Sequence, residues 1–217
     1  MSQKAQIKSP SRLKPLFFAI GLTLSVPSWA STLPQAQQSF DKAAYTTAVI
    51  ELKNLLQEEP NNASARLLLG QTYLKQMDVR AAIKELEKSK QFGAPASQWA
   101  VPLARSYYLA GDADSTIGIR EQTEQLDKKQ QAELLAIIGH AELAKNLVID
   151  AKETFQQALS ANDNAYAKVG LARIAMSEQQ QEQAATLLNQ ALKLEPDNLD
   201  ALLTKSQLLT SQEQFKA

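Results

Sequence analysis

The sequence of 217 residues contains no cysteine, a single histidine, seven glycines and only 6% aromatic residues. Each scarcity removes a kind of chemistry. Without cysteine there are no disulfide frameworks, thiolate metal sites or cysteine nucleophiles. One imidazole, His140, excludes multi-histidine metal centres. Seven glycines leave little material for phosphate-cradling loops. Charge of one sign is also missing: 23 Lys and Arg balance 23 Asp and Glu. No basic surface for gripping nucleic acid or polyphosphate is therefore expected. At 44% apolar and 21% charged residues the chain is neither disordered nor fibrous, and its length suits one globular domain or a short array of repeats. These exclusions favour a binding or scaffolding protein over an enzyme, with no cofactor.

The amino terminus reads as an address. Lys4, Lys8, Arg12 and Lys14 precede the apolar run Leu16–Val26, which Pro27 ends and Ser28 and Ala30 follow. A basic region, a short apolar stretch and small residues at a cleavage position form a signal-peptide pattern. A spanning helix needs about 20 apolar residues, so cleavage after Ala30 is expected, leaving no stable membrane span. The remaining chain carries 19 of the 23 basic residues against all 23 acids, a net charge of −4. It has no cysteine to carry a lipid anchor, and the expected location is the periplasm.

The rest of the chain repeats itself. The segments Glu59–Asn62 and Glu195–Asn198 share the order Glu-Pro-(Asn/Asp)-Asn. The spacing from Pro60 to Pro196 is four periods of about 34 residues. Between them the same pattern recurs: a helix with a small residue at Gly70, Ala104, Gly139 or Ala172, a polar turn, then a second helix. In that second helix Ala82, Leu86 and Ser89 match Thr116, Arg120 and Thr123, then Ala151, Phe155 and Ala158, then Ala184, Leu188 and Ala191. Small residues are expected where helices cross at about 8–10 Å, and the large ones fill the space beside them. Pro60 and Pro196 end second helices, and Asn62 and Asn198 suit the caps of the next ones. The units run 63–96, 97–131, 132–164 and 165–198, with a degenerate second helix in 97–131. An incomplete unit precedes them and a truncated one follows, which is expected to be the front part of a longer array.

This pattern resembles the tetratricopeptide repeat, a helix-turn-helix unit of about 34 residues. The resemblance implies an all-α fold, a right-handed α-solenoid, with residues 1–30 as signal peptide and 31–217 as an array of about five units plus a truncated sixth. It also implies a concave groove lined by first helices that takes extended or helical peptides. The residues projected onto that groove are Gln71, Lys75, Arg105, Tyr108, His140, Tyr166, Arg173 and Met176. Arg and Tyr there combine contact area with directed hydrogen bonds. The Lys and Asn clamp that holds chaperone carboxylates in some tetratricopeptide proteins is absent at Leu67 and Gln71.

No catalytic constellation accompanies this surface. His140 has no second histidine or cysteine to act with. A calcium loop counted from Asp163 places Lys168 where glycine is required and Ile174 where a bidentate Glu is required, so 162–164 reads as a turn. Residues 43–112, with AVIELKNLLQEEPNNASARLLLGQTYLKQ at their core, are similar to the PrsT-type tetratricopeptide proteins of exosortase/PEP-CTERM systems. That similarity implies a non-enzymatic exported scaffold with protein or peptide partners in the cell envelope, in exopolysaccharide or surface-protein export. Many such proteins are longer, and many are lipoproteins. The alternatives are an adaptor for pilus or outer-membrane assembly and the amino-terminal recognition arm of a longer enzyme.

Overall fold

The computed structural model describes residues 31–214; the signal peptide expected over 1–30 lies outside them. Among the described residues eleven α-helices succeed one another: α1 (Leu33–Asp41), α2 (Tyr45–Glu58), α3 (Ala63–Lys75), α4 (Val79–Gln91), α5 (Ala96–Leu109), α6 (Ala113–Gly118), α7 (Lys128–Ala144), α8 (Val148–Ala161), α9 (Ala165–Ser177), α10 (Gln181–Leu194) and α11 (Leu199–Gln214). A 3-10 segment, Ile119–Gln125, continues α6. Consecutive helices pair as antiparallel hairpins. Odd-numbered helices also touch the next odd-numbered helix, whereas even-numbered helices do not meet one another among the described residues. The odd helices therefore form a continuous inner layer and the even ones a splayed outer layer, which makes the odd-helix side concave.

Local chemistry sets the boundaries. Asn62 and Asn198 each accept a hydrogen bond from the amide three residues on, at 2.9 Å, and each donates to the preceding Glu59 or Glu195. The two copies of the Glu-Pro motif thus build the same cap. Asn164 caps α9, and Asp78, Asp112 and Asp127 cap α4, α6 and α7. Asp127 completes a capping box with Gln130. It starts α7 at Lys128, four residues ahead of the boundary expected at Ala132.

Small residues sit under large ones. Ala82, Ala151, Ala158, Ala172, Ala184 and Ala191 are fully buried, as are Leu86, Phe155 and Leu188. A methyl group on Gly70 would stand 2.6 Å from Leu86 Cγ, and one on Gly139 2.6 Å from the Phe155 ring. Gly170, which the repeat pattern passes over in favour of Ala172, packs against the same ring, where a methyl group would stand only 2.1 Å away.

The degenerate third hairpin has a physical cause. Arg120 occupies the position held by Leu86, Phe155 and Leu188 in the other units, and a guanidinium cannot be buried there as a plug. The surrounding Thr116, Ile117, Gly118 and Thr123 are poor helix formers. After six residues α6 gives way to the 3-10 segment. Ile119 and Leu126 then fill the core beside Trp99, Leu103, Leu134 and Ile138. Arg120 turns instead to Glu142, 2.5 Å away, and to the Thr154 hydroxyl at 2.9 Å. Glu142 is 4% exposed and its second oxygen has no partner among the described residues.

Removing only the cation strands a buried carboxylate. Arg120→Ala is expected to cost about 3 kcal/mol in urea unfolding, and Arg120→Leu/Glu142→Leu to recover most of that loss. A double variant as unstable as Arg120→Ala would refute the assignment.

Candidate groove on the inner face

The inner helices are joined across the groove by one recurring geometry. The position held by Gln71, Arg105, His140 and Arg173 lies one residue after the small crossing residue of each odd helix. In three successive junctions it reaches one equivalent position near the start of the next odd helix. Arg105 pairs with Glu133 at 2.7 Å, between α5 and α7. Arg173 pairs with Asp200, between α9 and α11. Between α7 and α9 the equivalents are His140 and Tyr166, whose rings stack with centroids 3.8 Å apart and planes inclined by 30°. These contacts latch the inner layer from α5 to α11.

The latch changes the standing of His140. It is 2% exposed, enclosed by Tyr166, by the edge of Phe155 at 5.0 Å and by Tyr108 at 6.3 Å. Its Nε2–H donates to the Tyr166 carbonyl at 3.0 Å. The expectation that His140 faces the groove is therefore corrected: the helical position is right, but an aromatic partner covers the ring where an acid would hold it at the surface. Burial lowers its pKa to about 4, opposed by the hydrogen bond to Tyr166. Tyr166 is held protonated by burial and then by the adjacent Tyr108.

Two concavities open on the inner face. The first, about 540 Å³, is lined by Gln71, Lys75 and Arg105 with Phe40, Leu74, Met77, Val101 and Leu109, and is closed off by Pro102 and Glu133. The second, about 430 Å³, is more polar and includes Arg105, Lys129, Glu133, Tyr166 and Glu195. The Arg105–Glu133 pair is the partition between them. The structure thus brings together Gln71, Lys75 and Arg105, and sets Tyr166 on the far side of Arg105. Arg173 is occupied by Asp200 and lines neither concavity. Met176 is half-buried, packs against the α9–α11 core of Val169, Ala172, Leu188 and Leu208, and lines neither concavity.

The first concavity coincides with a junction that has no latch. At the α3–α5 junction the equivalent positions are Gln71 and Gln98, and no hydrogen bond or ion pair joins them among the described residues. Its apolar lining escaped the sequence reading because that reading sought polar anchors. The usable signal was register: Leu109 stands one repeat after Lys75, and Leu74 one repeat before Tyr108.

Comparison with known proteins agrees with this architecture. Residues 39–101 match the tetratricopeptide repeat family model. The rat (Rattus norvegicus) DnaJ homolog subfamily C member 3 is 23% identical over 197 residues, covering 83% of this chain and 39% of the relative. The chain thus spans about two fifths of the length of the curated relatives it matches. Among solved structures, pilF of Pseudomonas aeruginosa superposes with a TM-score of 0.67 at 16% identity, over 84% of this chain and 83% of that one. YrrB, described as a tetratricopeptide protein with an unusual peptide-binding site, gives 0.62 at 16% identity, over 80% and 89%. The described residues have the tetratricopeptide-repeat fold, an all-α solenoid. No described helix is long and apolar enough to cross a membrane.

Burial of neutral His140 makes stability depend on pH. Because its pKa falls from 6.5 unfolded to about 4 folded, the unfolded chain takes up the extra proton between these values. The contribution is complete above pH 6.5 and is lost as pH falls towards 4, amounting to roughly 3 kcal/mol. Urea unfolding of wild type and His140→Gln at pH 7, 5.5 and 4.5 should show the wild type losing more stability; parallel losses would contradict it.

Proposed function

We propose that the chain is a non-enzymatic exported scaffold whose inner face binds protein or peptide partners of the cell envelope, in exopolysaccharide or PEP-CTERM/exosortase-linked assembly. The observation that carries the binding reading is the unlatched α3–α5 junction. There an apolar concavity with a polar rim opens on the concave side, the form that ligand sites usually take. YrrB offers a precedent for peptide binding on this fold. The signal-peptide pattern of residues 1–30 supports export, and the similarity of 43–112 to PrsT-type proteins supports the pathway. The sequence has no cysteine nucleophile, and its one histidine, His140, is buried against Phe155 and Tyr166.

Two measurements test this. A photo-crosslinking residue in place of Gln71 or Lys129, both on the inner face, should capture a discrete envelope protein in cells, and one at Glu153 on the exposed side of α8 should not. Equal capture from all three positions would sink the groove reading. N-terminal sequencing of protein from a periplasmic extract should begin at Ser31; recovery only from the cytoplasm with residues 1–30 attached would reject export.

A further inference from the structure

Five hairpin turns carry a left-handed residue at the same place. Ala43, Met77, Gly111, Asn146 and Gln179 have φ between 57° and 77°, each just after the first helix of its unit. The recurrence shows that the turn between paired helices demands this conformation whatever the side chain. Glycine meets the demand at least cost and Asn comes next. Methionine meets it poorly, having no short polar group to bond the local backbone.

Packing does not compensate at position 77. Met77 is 65% exposed, so a strained backbone here supports a large apolar side chain in solvent. The turn itself imposes this conformation, which Ala43 and Gln179 share; what sets position 77 apart is a large apolar side chain left in solvent. Met77 lies on the rim of the first concavity with Phe40, Leu74, Val101 and Leu109, the last itself 44% exposed. An unbranched, polarizable thioether adapts to the shape of an incoming apolar group.

Charge narrows the partner further. Arg105 is neutralised by Glu133 at 2.7 Å. Lys75, exposed on the same rim, has no carboxylate partner among the described residues. The surface complementary to this site is apolar with one negative charge.

The geometry points to Met77 as an anchor for an apolar partner segment that carries a carboxylate, with the segment seated between α3 and α5 and its acid on Lys75. This rests on the inner-face reading above and assigns to it a subsite and a ligand chemistry. Replacing Met77 by glycine should then relieve the turn while removing the anchor, so that stability and binding move in opposite directions.

The test uses the full chain and short fluorescein-labelled peptides, rich in Leu and Phe, that differ only in a central Asp, Asn or Lys. Anisotropy titrations should show the Asp peptide binding about tenfold more tightly than the Lys peptide, with Lys75→Glu reversing the order. Met77→Gly should raise the melting temperature by about 2–4 °C yet weaken the Asp peptide severalfold. Equal binding of the three peptides, or unchanged binding by a stabilised Met77→Gly, would overturn the proposal. If crosslinking from Lys129 captures a partner while the peptides fail to bind, the inner-face reading stands and this subsite falls. If no inner-face position captures anything, both fall.

Discussion

The arrangement of the inner face depends on one aromatic ring. Phe155, fully buried on α8, packs against Gly139 of its own hairpin and Gly170 of the next. Both contacts are so close that a methyl group has no room, and a close-packed interior has little slack to make any. One side chain thereby fixes the approach of α7 to α8 and of α8 to α9. The edge of the same ring supports His140, which carries Tyr166. The spacing of two hairpins and the floor of the groove therefore share one origin.

Each repeat position imposes a geometry, and residue identity decides what is done with it. At the plug position Leu86, Phe155 and Leu188 bury hydrocarbon, whereas Arg120 unwinds its helix and finds an anion. At the latch position two arginines remain partly exposed in ion pairs and a histidine disappears beneath a tyrosine. The energetics differ accordingly. Exposed ion pairs contribute about 0–1 kcal/mol each, so Arg105 and Arg173 set where neighbouring helices sit more than they stabilise them. The His140–Tyr166 stack buries the histidine beneath a half-buried tyrosine and shields it from protons.

Much of this was legible in the sequence because a fixed period is a geometric statement. The Glu-Pro-x-Asn motif located caps that form twice in the same way, and the small residues marked the helix crossings. Arg120 at an apolar position already signalled the broken second helix. What was not legible was pairing between repeats. The period placed Arg105, His140 and Arg173 on the inner face, but whether each stays free depends on the residue found 28, 26 or 27 positions later, Glu133, Tyr166 or Asp200. Gly170 was overlooked because a closer match to the repeat pattern lay two residues on.

The latches also explain why the apolar concavity lies where it does. From α5 to α11 each junction between inner helices is closed by a side-chain pair that spans the groove floor. Between α3 and α5 the two positions hold Gln71 and Gln98, and these helices touch less extensively than α5 with α7 or α7 with α9. With no pair to cover them, Leu74, Val101 and Leu109 remain open to the groove. A partner entering there meets apolar surface without first breaking an ion pair, so the desolvation cost that makes charged surfaces poor anchors is small. One junction further along, the Arg105–Glu133 pair occupies the corresponding place and the surface there is polar. The same two positions, occupied by different residues, thus close the floor of the inner face from α5 to α11 and leave it open between α3 and α5.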